Sequence, residues 1–119
     1  MWSGLIHFTQ DEFRCPCCGK VAMDAHFIRC LDMARAAAGI PFVINSGYRC
    51  KAHNTAVGGK RHSAHRWGYA ADIRAVTSAD RFKILQALLR FGFRRIGVYD
   101  TFIHADMAPD LPDGVVWLA

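Results

Sequence analysis

Between Ser63 and Asp72 the chain reads SAHRWGYAAD, and the run FIHAD, at residues 102–106, adds His104 and Asp106. His65 and Asp72 stand seven positions apart, separated by Gly68, which permits a tight turn, and by Ala70 and Ala71, which are small enough to pack. With Ile73 the run suits a loop entering a buried strand, so that a histidine before the turn and an aspartate on the strand face one point. A catalytic zinc site takes three protein ligands from His, Asp or Glu and leaves the fourth tetrahedral position to water. His65, Asp72 and His104 are expected to be those ligands, on one Zn2+ ion. Asp72 would be costly to bury alone in an apolar strand, and coordination supplies its partner.

Upstream, Ser46-Gly47-Tyr48-Arg49, His53-Asn54 and Val57-Gly58-Gly59 lead into Ser63 and His65. The run SGYRCKAHNTAVGGKRHSAHRWGYAADI, with FIHAD after it, resembles the zinc D-Ala-D-Ala carboxypeptidase and murein endopeptidase family, peptidase family M15, especially its small phage and bacterial members. The pattern S-x-H-x-x-G-x-A-x-D matches at every fixed position, and the likeness runs from about Phe8 to Asp106. The resemblance implies a Hedgehog/DD-peptidase-like fold. It also implies a zinc metallopeptidase that cuts an amide bond in the peptide part of peptidoglycan, as a carboxypeptidase or endopeptidase, and so an endolysin-like role in phage lysis.

At Arg49 the resemblance implies a cation that binds substrate or stabilises a developing oxyanion; the alternative is a salt bridge that anchors the loop. Ser63 is expected either to bind a substrate carboxylate or to cap the loop before His65. His53 and Asn54 are read as loop-positioning residues, and the motif assigns metal binding to His65 rather than His62. Better-studied members of the family carry an acid three residues before the last ligand, where this chain has Thr101. Asp106 and Asp100 are the candidate general bases. Asp106 is favoured because side chains two apart on a strand share a face. The other role open to Asp106 is to orient an imidazole. Loss of the base would leave a non-catalytic, zinc-containing wall-binding module of the same fold, the alternative function.

With 119 residues and 52% hydrophobic content, the chain is expected to form a single domain over residues 1–119 around one core. The net charge of +5 is dispersed, with small concentrations at Lys60-Arg61 and Arg94-Arg95. Basic residues interleaved with aromatics and a basic helix face are both missing, so nucleic acid is not an expected partner; an anionic wall polymer suits the charge equally well. Residues 1–6 show no basic, apolar and small-residue succession of a secretory signal, and no run is long enough for a membrane helix. Cytoplasmic synthesis, action on the wall after release, no membrane partner and a monomeric state are the resulting expectations. The five cysteines, Cys15, Cys17, Cys18, Cys30 and Cys50, are an odd number and are read as thiols. CPCCGK looks like half a zinc ribbon without its second pair, and a disulfide from this cluster to Cys50 is the other option.

The elements expected around the site make an α+β fold, a small antiparallel sheet with helices packed on it. Thr9 to Glu12 has capping-box form, and Asp24 caps a helix running to Ala38, stopped by Gly39 and Pro41. Pro41 to Asn45 reads as a buried strand, residues 50–67 mostly as loop with one helical turn, and Ala70 to Arg74 as the next strand. Thr77 or Ser78 caps a second helix with Phe82, Leu85, Leu88 and Leu89 inward, ending at Gly92. Residues 95–98 and 101–105 read as a hairpin, and 115–118 as an edge strand.

Overall fold

The computed structural model describes residues 2–119; Met1, the first residue of the stretch read for signal character, lies outside the described residues. The sheet grows from the apolar strand that carries Asp72. Ala70–Arg74 (β2) is buried at every residue but the last. It pairs antiparallel with Ile44–Ser46 (β1) on one side and with Phe102–Asp106 (β4) on the other. Arg95–Val98 (β3) pairs antiparallel with β4, and Val115–Leu118 (β5) takes the far edge, giving the order β1-β2-β4-β3-β5.

The expectation of a wholly antiparallel sheet is corrected at that edge, because β5 runs parallel to β3, with Arg95 opposite Val115 and Val98 opposite Leu118. The reason is topological. β4 ends beside Arg95, the chain passes over β3, and the returning strand must then run in the direction of β3. An ion pair between Arg94 and Asp113 (2.9 Å) and the bond from Val115 N–H to the Arg94 carbonyl (3.0 Å) hold the start of β5 in place.

Alternation along these strands separates two faces. Ala71, Ile73, Ile96, Ile103 and Ala105 turn into the core, where they meet Phe27, Ile28 and Leu31 of the helix Ala25–Ala38 (α1) and Ile84 and Leu88 of the helix Ser78–Arg90 (α3). On the other face Ser46, Asp72, His104, Gly97 and Trp117 stand side by side across the five strands. This row becomes the site.

The helix boundaries follow their caps. The Asp24 carboxylate accepts the Phe27 N–H (2.9 Å), and Gly39 ends α1 with φ 70°. Thr77 Oγ accepts the Asp80 N–H (3.1 Å) at the start of α3. Two expectations need correction. The inward stripe of α3 is Ile84, Ala87 and Leu88, with Phe82 (64% exposed) and Leu89 (54%) facing solvent; spacing alone allowed either of two neighbouring stripes. The buried strand expected over Pro41 to Asn45 is Ile44–Ser46, where pairing with β2 begins, and the apolar run before it is not buried throughout, since Phe42 is buried while Val43 points to solvent.

Residues 50–67 contain more helix than expected, a helix over Lys51–Ala56 (α2) and a 3-10 turn over Ala64–Trp67 that carries His65. Gly68 ends that turn with φ 78°, and a Cβ there would lie 2.1 Å from the Ala22 carbonyl oxygen. Its own carbonyl accepts the Asp24 N–H (2.9 Å), so one glycine joins the His65 turn to the start of α1. Gly68→Ala combines left-handed backbone strain with overlap and is expected to lower unfolding free energy by about 2 kcal/mol or more in urea titrations. A change under about 0.5 kcal/mol, ordinary for surface substitutions, would contradict this packing.

Candidate metal centre

Register alone sets two of the three ligands opposite each other, Asp72 on β2 and His104 on β4. The third arrives from the 3-10 turn, where Ser63 Oγ accepts the His65 N–H (3.3 Å) and the His65 carbonyl accepts the Arg49 N–H (3.1 Å). Ser63 thus takes the capping geometry of its two expected roles. The ligand atoms of His65, Asp72 and His104 all lie within 4.8 Å of one another.

The outer partners of the two imidazoles define which nitrogen faces inward. His65 Nδ1 is 2.8 Å from the Gly47 carbonyl oxygen, which can only accept, so Nδ1 carries the hydrogen. His104 Nε2 is 2.7 Å from Asp106 Oδ2, and the same reasoning gives its hydrogen to the carboxylate. That leaves His65 Nε2 (3.2 Å) and His104 Nδ1 (2.8 Å) both aimed at Asp72 Oδ1. Two lone pairs and a carboxylate oxygen facing each other require a cation between them. The donor set of two imidazoles and one carboxylate fits a zinc ion with an open coordination position.

The charges agree. Burial alone would raise the Asp72 carboxyl, but hydrogen bonds and charge from His104 and His65 pull it well below the usual carboxylate range. Burial would lower His104, yet its bonds to Asp106 and Asp72 raise it. Asp106 is likewise lowered against its burial, by His104, the Ala108 N–H and Arg95. The Asp72 Oδ2 atom is not left over: Arg49 Nη2 reaches it at 3.2 Å, while Arg49 Nε donates to Ser46 Oγ (2.9 Å) and Nη1 to Asn54 Oδ1 (3.4 Å). Arg49 is therefore an ion-pair anchor of the ligand Asp72. Asn54 is buried and donates to the Lys60 carbonyl (2.8 Å); a Cβ on Gly59 would lie 2.0 Å from its Oδ1, while Gly58 takes φ 74°, so the two glycines are needed for different reasons.

Asp106 lies on the outer edge of the His104 ring, opposite the nitrogen that faces Asp72. Its Oδ1 accepts from Arg95 Nε (2.7 Å) and from the Ala108 N–H (3.1 Å), so both oxygens are engaged. Asp100 sits exposed in the turn between β3 and β4, where its carbonyl accepts from Arg81 Nη2. His62 is exposed and is not among the three converging ligands.

Sequence reasoning missed Arg95, Tyr99, Gly97 and Trp117. The Trp117 ring lies 5.5 Å from the His104 ring and 5.3 Å from the Arg95 guanidinium, and its Nε1–H donates to Tyr99 Oη (3.0 Å). Gly97 makes this possible, since a Cβ there would meet Trp117 Nε1 at 2.4 Å. The signal present in the sequence was a glycine inside a strand, which marks close approach by another group. A cleft of about 430 Å3, lined by residues including Ala64, Trp67, Tyr69 and Leu111, adjoins the His65 turn; the three ligands themselves lie outside it.

Because His104 is held protonated to higher pH than an ordinary histidine, a metal ion must displace that proton. Zinc affinity is expected to fall as pH drops through this raised value, and zinc binding near neutrality should release protons. Calorimetry in buffers of different ionisation enthalpy measures both; affinity independent of pH with no proton release would contradict the assignment.

A search of curated proteins gave no match. The sequence model of the family described as Peptidase M15 matches residues 6–106, which takes in Arg49, the three candidate ligands and Asp106. The α+β architecture is compatible with a small peptidase of this kind. On that match, which spans most of the chain, the protein belongs to peptidase family M15.

Proposed function

We propose that the chain is a zinc-dependent metallopeptidase that hydrolyses an amide bond in the peptide part of bacterial peptidoglycan. The observation that carries this reading is the convergence of His65 Nε2, Asp72 Oδ1 and His104 Nδ1, with the opposite edge of each ring occupied by an acceptor. A zinc ion held there supplies Lewis acidity, which activates water at neutral pH and polarises a scissile carbonyl. The residues of the chain supply the rest. Arg49 holds Asp72 through Oδ2 and brings a permanent positive charge to the edge of the site, suited to an anionic substrate group or a developing oxyanion. Trp117 walls the side of His104 towards β5 and limits water there.

For Asp106 we favour a positioning role over that of general base. Its Oδ2 holds the Nε2 hydrogen of His104, and Arg95 balances its charge. Asp106→Asn should then weaken zinc affinity about 10–100-fold, with most turnover restored at saturating zinc. A base would behave oppositely: zinc affinity kept and turnover down about a hundredfold or more. Asp100→Asn tests the remaining expected base by the same two measurements, and a selective loss of turnover there would assign it the proton.

The engagement of both Asp106 oxygens also favours a second reading, the non-catalytic wall-binding module. Digestion of purified peptidoglycan, with fragments identified by mass spectrometry, separates the two. The peptidase reading predicts zinc-dependent release of wall peptides with new amino termini, and the fragments name the bond, whether D-Ala-D-Ala, L-Ala-D-Glu or a cross-bridge. Zinc-loaded protein that pellets with the wall and releases nothing from any chemotype would establish the binding module instead. Release of the protein to the wall, as in phage lysis, accords with this substrate and is part of the proposal; among the described residues no helix is long and apolar enough to cross a membrane.

A further inference from the structure

A second group of side chains that could hold a metal ion includes Cys50, next to Arg49 in the chain. The sulfurs of Cys15, Cys18 and Cys50 are all within 4.8 Å of one another, although Cys15 and Cys50 are 35 residues apart. The sequence offered Cys50 to this cluster only as a disulfide partner, and the fold brings it there together with two other thiols. Cys15 and Cys18 belong to a tight turn in which the Cys15 N–H donates to the Lys20 carbonyl (2.8 Å) and the Gly19 N–H to the Cys15 carbonyl (2.9 Å), with Gly19 at φ 76°. This turn wraps the backbone around one sulfur: the N–H groups of Cys17, Cys18 and Cys50 face Cys15 Sγ, the last at 3.5 Å. The His53 N–H likewise donates to Cys50 Sγ (3.4 Å). Cys17, the remaining thiol of CPCCGK, is exposed and near Cys50, outside the group of three mutually close sulfurs.

Three sulfurs in mutual reach are one too many for a disulfide, and all five cysteines are free. They suit a thiophilic metal ion. With Zn–S bonds of about 2.3 Å, tetrahedral sulfurs stand about 3.8 Å apart, so a triangle with no side above 4.8 Å closes on an ion with a contraction of at most about 1 Å. The Cys-x-x-Cys spacing of Cys15 and Cys18 is that of structural zinc ligands.

We propose that Cys15, Cys18 and Cys50 bind a second, structural metal ion, zinc or a similar soft divalent cation, with Cys17 completing the tetrahedron. The ion would tie the N-terminal segment to the start of α2, one residue beyond Arg49. The surroundings are already built for such a staple: the Tyr48 N–H donates to the Phe13 carbonyl (2.9 Å), and a Cβ on Gly47 would lie 2.6 Å from Phe13 Cα. Gly47 and Arg49 are the residues that hold His65 and Asp72, so the thiolate site steadies the frame of the first centre without touching it.

Cobalt titration of the full chain carrying His65→Ala tests this independently of any hydrolysis, because that substitution removes the first centre. The expected result is one Co2+ per chain with intense near-ultraviolet thiolate-to-cobalt charge-transfer bands. Adding Cys50→Ser should abolish the bands, and adding Cys18→Ser, at an exposed position less exposed to folding defects, should weaken cobalt affinity at least tenfold. Absence of the bands in the His65→Ala chain would overturn the proposal. So would bands unchanged by Cys18→Ser and Cys50→Ser, or an intact mass lower by two hydrogens, which would mark a disulfide.

Discussion

A single carboxylate in an apolar strand constrains most of this structure. Asp72 stands between alanine and isoleucine on β2, nearly buried, and a charge in that position is tolerable only if every direction it faces offers a compensating partner. The chain provides those partners from three separate places: His104 across the register, His65 from a 3-10 turn, and Arg49 from the segment after β1, itself held by Ser46 of β1. Each partner is in turn fixed from behind, His65 by Gly47, His104 by Asp106, and Asp106 by Arg95. The result is an alternating set of charges in which no member moves without exposing another.

That frame was partly legible in the sequence. His65, Asp72 and His104 were visible because a turn glycine, a run of small residues and a His-x-Asp pair announce a loop entering a strand and a second strand opposite it. The caps of α1 and α3 were legible for a similar local reason, since Asp24 and Thr77 satisfy N–H groups three residues away. What depended on distant pairing was not. Nothing near Trp117 says that it crosses β3 through the gap left by Gly97, because the parallel edge pairing that brings it there depends on the path of residues 107–114. Period-two reasoning placed Asp106 on the same face as His104 correctly, yet it could not tell the inner edge of an imidazole from the outer one. Cys50 was legible as a disulfide partner of the cluster but not as a third metal-binding thiol, because α1 and β1 separate it from Cys15 and Cys18 in sequence.

The same physical logic distinguishes a site made for chemistry from one made only for stability. A cluster of acceptors would be a poor way to stabilise a fold, since replacing buried charges with packed apolar groups is often neutral or favourable. His65 Nε2, His104 Nδ1 and Asp72 Oδ1 are stable together only around a cation, and Trp117 and Arg49 beside them are only partly buried. Membership of peptidase family M15 gives this arrangement its chemical setting.

The central claim, that these three atoms and no others define the first metal position, is tested most directly by diffraction from zinc-soaked crystals recorded on either side of the zinc absorption edge. The account predicts an anomalous peak bonded to His65 Nε2, Asp72 Oδ1 and His104 Nδ1, with His104 Nε2 still on Asp106. A peak on His104 Nε2, or none between β2 and the Ala64–Trp67 turn, would contradict it.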